Sequence, residues 1–270
     1  MRITFHNQKY ATNVKYFFYL LFSCSFFYSN SVTAIVNIEN MRVEAANKTQ
    51  GFDGKLALDI NGDNGNTQKL KSNAGARAQW YKETGTRFIV LNYAYGESSD
   101  VKDTDKIFLH FRNIWYKTDD LAWEAFTQFE SNEFTRLKSR ALVGGGIRWE
   151  ALQNKTQALY LGFGILRSKE KIEEAALLTD AGVTYNNRLN TYLVHKYAIS
   201  DHSRIANTLY YQPDIHKTSD YRLLEQFGLL LDVTESLSFK LSVDIFHDSQ
   251  PAQQIKQTDT SYNAGFEYSF

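Results

Sequence analysis

The sequence predicts an all-β chain: an antiparallel transmembrane outer-membrane β-barrel of about twelve strands, with short periplasmic turns and longer extracellular loops. Three observations carry this expectation. First, the last stretch, Asp259 to Phe270, places Tyr262, Ala264, Phe266, Tyr268 and Phe270 on one side of a period-two pattern and Ser261, Asn263, Gly265, Glu267 and Ser269 on the other. That is a strand with one apolar and one wet face, ending on an aromatic residue as a closing barrel strand does. Second, segments of this type recur along the chain, separated by connections that alternate short and long. Third, the four Trp residues all lie beside short connections, on the apolar parity of their strands.

Bulk properties agree. Thirty basic and thirty acidic side chains cancel, so no charge excess recruits nucleic acid or an acidic surface. The mean hydropathy is −0.42 although 43% of residues are apolar and 15% aromatic. Interleaved strands give that mixture, because alternation dilutes hydrophobicity along the chain while concentrating it on one face.

Taken in order, Arg2, Lys9 and Lys15 precede an apolar run, Tyr16 to Tyr28, followed by small and polar residues from Ser29 to Ala34. This is the layout of a secretory signal peptide over residues 1–34, cleaved after Ala34. The run is shorter than the about 20 apolar residues a membrane helix needs. Cys24, the single cysteine, lies within it, so the mature chain has no thiol chemistry; Phe22 and the apolar Phe26 to Tyr28 argue against lipid attachment there. Residues 35–50 read as a periplasmic lead-in, and residues 51–270 as the barrel. Strands are expected near Lys55 to Asn61, Thr67 to Tyr81, Thr86 to Tyr95, Lys106 to Tyr116, Leu121 to Phe134, Ser139 to Ala151 and Thr156 to Arg167. Five more run near Asn187 to Ala198, Ser203 to Gln212, Tyr221 to Val233, Leu237 to His247 and Asp259 to Phe270. The short connections are Lys82 to Gly85, Lys117 to Asp120, Gln153 to Lys155, Ser200 to His202 and Thr234 to Ser236; Gly96 to Asp105, Ser168 to Gly182 and Asp248 to Thr258 are long.

Trp80, Trp115, Trp123 and Trp149, with Phe270, are expected to form a periplasmic aromatic girdle. The opposite parity then faces the lumen. It carries the charges Lys55, Arg77, Arg112, Glu124, Glu130, Arg140, Arg148, Glu150, Lys240, Asp244 and Glu267, with both signs present. Counting back from the loop near Glu133 brings Glu130 beside Arg140 and Glu124 beside Arg148, while Lys55 and Glu267 sit where the first and last strands would meet. Gly144, Gly146, Gly162 and Gly164 share that inward face, where they relieve crowding, allow curvature or leave room for a constriction. No catalytic constellation, metal-ligand spacing or phosphate loop is present in the sequence, so no catalytic, metal or cofactor residue is assigned.

The motifs Gly51-Phe52-Asp53-Gly54, Asn61-Gly62-Asp63-Asn64-Gly65-Asn66-Thr67, Tyr93-Ala94-Tyr95-Gly96 and the Gly-rich strand Leu142 to Trp149 occur in that order. In this they resemble the salt-induced outer membrane protein family, a bacterial domain of unknown function. The resemblance implies a Gram-negative outer-membrane location and a link to salt or osmotic conditions, and no catalytic residues. Two functions follow as expectations: a narrow pore or small-solute conduit with a charge-balanced polar lumen, or a closed structural barrel acting through its extracellular loops or periplasmic segment. An outer-membrane enzyme is the third. The expected partners are outer-membrane lipid, lipopolysaccharide and, through the strand ending at Phe270, the barrel-assembly machinery; no cofactor and no nucleic acid are expected.

Overall fold

Twelve strands follow one another in a single antiparallel sheet whose spatial order is the chain order. The structure, a computed structural model, describes residues 50–63, 69–234 and 236–268. The expected signal peptide with Cys24 and Ala34, most of the lead-in, and Phe270 lie outside the described residues, as does the side chain of Glu267.

The strands are β1 (Gly51–Asp63), β2 (Lys69–Lys82), β3 (Gly85–Ser98), β4 (Val101–Tyr116), β5 (Leu121–Asn132) and β6 (Leu137–Gln153). They continue with β7 (Gln157–Ile172), β8 (Gly182–Ser200), β9 (Ser203–Pro213), β10 (Tyr221–Asp232), β11 (Leu237–Asp248) and β12 (Thr258–Tyr268). Among the described residues no ladder joins β1 to β12. The sheet is nevertheless curled into a barrel wall. Glu170 of β7 meets Arg222 of β10 through two hydrogen bonds of 2.9 Å, and Tyr192 of β8 donates to Glu124 of β5 at 2.8 Å. In a flat sheet strands three positions apart are separated by roughly 14 Å; only curling brings such side chains together.

Alternation sets which residues face outward. On β1 the outward positions are Phe52, Leu56, Leu58 and Ile60, on β7 Phe163 and Ile165, on β12 Tyr262 and Phe266, and all are more than half exposed. Monomeric water-soluble proteins rarely expose a contiguous apolar surface of this kind, whereas a transmembrane barrel requires it. No helix among the described residues is long and apolar enough to cross a membrane; the strands make the crossing. Within the span this face is interrupted where Asn207 of β9 donates to the Glu225 carboxylate of β10, so the polar demand is met inside the wall.

The strands outrun the sequence expectation at one end. Gly96 to Asp105, expected as a long loop, is mostly paired strand, and β3 passes to β4 through Ser99 and Asp100 alone, with φ of 51° and 61°. Two left-handed residues in succession make the tight hairpin whose twist suits antiparallel strands. Likewise β7 continues to Ile172 and β8 begins at Gly182, which shortens the expected loop at Ser168 to Gly182. Connection lengths therefore alternate less strictly than the sequence suggests. Backbone pairing continues past the apolar band because it satisfies the peptide groups whether or not the flanking side chains are apolar.

Candidate functional site

Most of the inward face from β3 to β9 is closely packed. Phe88, Val90, Arg112, Leu224 of β10 and Gln79 of β2 are each 2% exposed or less. His110 lies among the rings of Phe88, Phe108 and Phe126, with centroids 5.9, 6.2 and 5.9 Å away, and its Nδ1 is 3.2 Å from Gln128 Oε1. A second cluster contains Tyr160, Tyr192, Val194, Tyr210, Leu224 and Phe246.

Apart from the Arg188–Asp220 pair at 2.6 Å, the charges within this packing are linked in two networks. In the first, the Glu124 carboxylate accepts from Arg112 at 3.2 Å and from the Tyr192 hydroxyl at 2.8 Å. The same hydroxyl accepts from Arg148 at 3.3 Å, and the Arg148 guanidinium lies 4.1 Å from the centroid of the Tyr160 ring, a cation–π distance. In the second group Arg140 pairs with Glu130 and, at 3.0 Å, with Glu170. Glu170 also takes both terminal nitrogens of Arg222, whose Nε donates to Asp248 at 2.9 Å. The result is a line of five buried charges from β5 to β11, crossing the interior between β7 and β10. Bidentate guanidinium–carboxylate bonding fixes both partners in direction as well as distance.

These contacts refine the expected pairs. Glu130 stands opposite Arg140 in the ladder. Glu124, however, is opposite Gly146, and Arg148 is opposite Ala122. Once Glu130 and Arg140 face each other, antiparallel counting places Gly146 across from Glu124 and leaves Arg148 on the diagonal. Lys55, Arg77, Glu150, Lys240 and Asp244 lie on the same inward parity but are only half-buried. Glu170, Arg222 and Asp248 were absent from the sequence reading. Glu170 falls within the long connection Ser168 to Gly182 that the sequence predicts, although Leu166, Ser168 and Glu170 continue the buried parity of β7.

Gly146 and Gly164 face each other across the β6–β7 ladder. A Cβ on Gly146 would stand 2.2 Å from the Phe163 carbonyl oxygen, so the two backbones sit closer than side chains would allow. Gly144 and Gly162 make room for rings, those of Phe126 and Tyr192 respectively. The glycines therefore accommodate neighbouring groups and leave no constriction of their own.

At the loop end a second arrangement ties connections together. Arg136, beside the short 3-10 turn Glu133–Thr135, donates to both Asp180 oxygens at 2.8 and 3.1 Å, to Glu173 O at 2.9 Å and to Gln253 O at 3.1 Å. The Gln253 backbone N–H donates back to Asp180 at 2.6 Å. Loops after β5, β7 and β11 are thereby clasped over one end of the wall. The Arg136 hydrogen bond, with that of the Gln253 backbone, holds the Asp180 carboxyl below its ordinary range. For a carboxylate with a depressed folded pKa, the stabilisation is present above the unfolded value and is lost as pH falls through the folded one. The expected result is a clasp that opens only in more strongly acid solution than protonates an ordinary Asp side chain. Protease cleavage of the 173–181 loop against pH checks this; cleavage rising already between pH 6 and 5 would contradict it.

Two aromatic bands flank the outward face. Trp80, Trp115, Trp123 and Trp149 are outward and about half exposed near the short turns, with Trp115 and Trp123 opposite each other in the β4–β5 ladder. At the loop end the band is tyrosine: the Tyr211 and Tyr221 rings meet tilted, with centroids 5.7 Å apart, and Tyr221 stacks on His247 at 5.4 Å. The sequence reading missed this second band, since Tyr is frequent throughout the chain. Among the described residues no group of three His, Cys, Asp or Glu is placed to hold a metal ion.

Comparison with known proteins gives a limited set of likenesses. A solved structure described as a NanC porin in a rhombohedral crystal form is 11% identical with a TM-score of 0.44, the match covering 79% of this chain and 100% of that one. A KdgM porin in complex with disordered oligogalacturonate is 12% identical with a TM-score of 0.38, covering 79% and 98%. No curated protein matches the sequence. Residues 57–270 match the family described as "Protein of unknown function, DUF481", a span of well over half the chain, and the chain belongs to that family.

Proposed function

We propose that this protein is an outer-membrane barrel that conducts small polar solutes through a narrow path along the β11–β12–β1–β2 side of its wall. One observation carries the reading: the contrast in burial around the inward face. From β3 to β9 inward side chains at mid-strand are mostly buried, whereas Lys55 and Asp59 of β1, Arg77 of β2, and Lys240 and Asp244 of β11 are only half-buried. Small residues accompany them, Ala57 opposite Gly75 and Lys240 opposite Gly265. Wet barrel interiors are lined by polar groups of this kind, and mixed signs favour weak ion selectivity. The link to salt or osmotic conditions, from the family resemblance, belongs to the same reading, as do a Gram-negative host and the absence of a catalytic role.

A second reading is favoured by the Glu170–Arg222 crossing and by the loop clasp, both of which obstruct a straight axial path. In it the barrel is closed and acts through its loop-end surface. Planar-bilayer recording of the refolded chain from Ile35 onward separates the two. The conduit predicts small, reproducible conductance steps, and Lys240→Glu is expected to move the reversal potential in a salt gradient toward cation selectivity. Silence from a barrel that folds, as judged by heat-dependent migration in detergent gels, would sink the conduit and support the closed reading.

A further inference from the structure

The outward face of β7 changes character abruptly. It reads Leu159, Leu161, Phe163 and Ile165, then Arg167, Lys169 and Lys171, and these three basic side chains are exposed. Successive outward residues on a strand lie about 6.6 Å apart, so three cations form one short stripe directly above an apolar surface. The neighbouring strands offer them no carboxylate. Val143, Ala141 and Ser139 stand opposite on β6, and Asn187, Tyr185 and Val183 on β8. None of the three makes an ion pair among the described residues. The contact present is with the Tyr185 ring, 5.9 Å from Arg167 Cζ and 5.9 Å from Lys169 Nζ. The buried Arg112, Arg140 and Arg222 of the inward face, by contrast, are paired with carboxylates, and Lys138 nearby pairs with Glu173 at 3.9 Å.

We propose that Arg167, Lys169 and Lys171, with Tyr185, bind the phosphate-bearing headgroup of a lipid in the leaflet at the loop end of the barrel. This rests on the membrane reading above. The apolar stretch below the stripe takes the acyl chains, Tyr185 sits at the depth where amphipathic rings favour the interface, and the guanidinium and ammonium groups meet phosphate oxygens. Loss of a carboxylate partner on this face is then a requirement, since an internal ion pair would compete with the lipid. On β9, β10 and β11 the outward positions at this end carry the rings of Tyr211, Tyr221 and His247 instead of a basic row.

The test uses the refolded chain in a neutral detergent, with native mass spectrometry of bound diphosphoryl lipid A and of the same lipid dephosphorylated. Wild type is expected to retain the phosphorylated lipid preferentially. The triple variant Arg167→Gln, Lys169→Gln, Lys171→Gln is expected to bind it about tenfold more weakly or worse, given the attraction each basic residue contributes near an anionic surface. A control that loses the same charge elsewhere, Lys155→Gln, Lys217→Gln, Lys256→Gln, is expected to bind as wild type. A folded barrel that binds both lipids equally, or a triple variant that binds as wild type, overturns the lipid site alone. Protein that never gives a heat-modifiable, strand-rich species overturns the barrel reading and the site together.

Discussion

Glu170→Ala is expected to destabilise the folded barrel by about 3–5 kcal/mol, the range for removing one partner from a buried ion pair. The residue is 4% exposed and holds two guanidinium groups, those of Arg140 and Arg222. Without it Arg140 keeps Glu130 and Arg222 keeps Asp248, but the crossing between β7 and β10 is gone and three buried guanidinium N–H donors lose their acceptor. The result would be read as a lower urea midpoint in micelles and a lower temperature for loss of the compact gel band. Glu170→Gln retains acceptor geometry and is expected to lose less. In a double-mutant cycle, Glu170→Gln with Arg222→Gln should cost less than the sum of the single changes, because these two groups interact directly. Additive losses would mean that the crossing contributes no coupling energy.

Gly146→Val is the second large effect expected. Its Cβ would be 2.2 Å from the Phe163 carbonyl oxygen and 2.6 Å from Gly164 Cα, both backbone atoms that no rotamer change can move. The β6–β7 ladder must open or bend, costing about 1–3 kcal/mol or more by the measure of overpacked cores. Gly228→Ala is the comparison, because the nearest atom to its Cβ is Ala206 O at 3.8 Å. It is expected to be near neutral in the same urea titration. Equal tolerance at both positions would mean that the close approach of β6 and β7 is not required.

Much of this architecture is legible in the amino-acid order, for a simple reason. A wall one strand thick exposes alternate residues to opposite faces, so period-two alternation locates all twelve strands and separates the half-exposed Trp residues from the buried Arg112, Glu124, Arg140 and Arg148. Local counting also finds the Glu130–Arg140 pair. What it cannot find is contact along a chord. Glu170 with Arg222, and Glu124 with Tyr192, join strands three positions apart in the sheet, and nothing in neighbour pairing encodes how tightly the wall curls. Strand ends at the loop side were misplaced for a different reason. There the outward residues become polar, as in Arg167, Lys169 and Lys171, so apolar periodicity fades while backbone pairing continues.

The chord between β7 and β10 also bears on the order in which the protein can mature. Arg222 lies 52 residues after Glu170, and Asp248, which completes Arg222, belongs to the penultimate strand. A chain halted after β9 would hold Glu130, Arg140 and Glu170 without Arg222, so the Glu170 carboxylate would lack the bidentate partner that crosses the interior. Contacts of such sequence separation form late and slow the overall reaction. It is Arg222, arriving with β10, that brings the second base to Glu170, so the crossing can close only once ten of the twelve strands are in place.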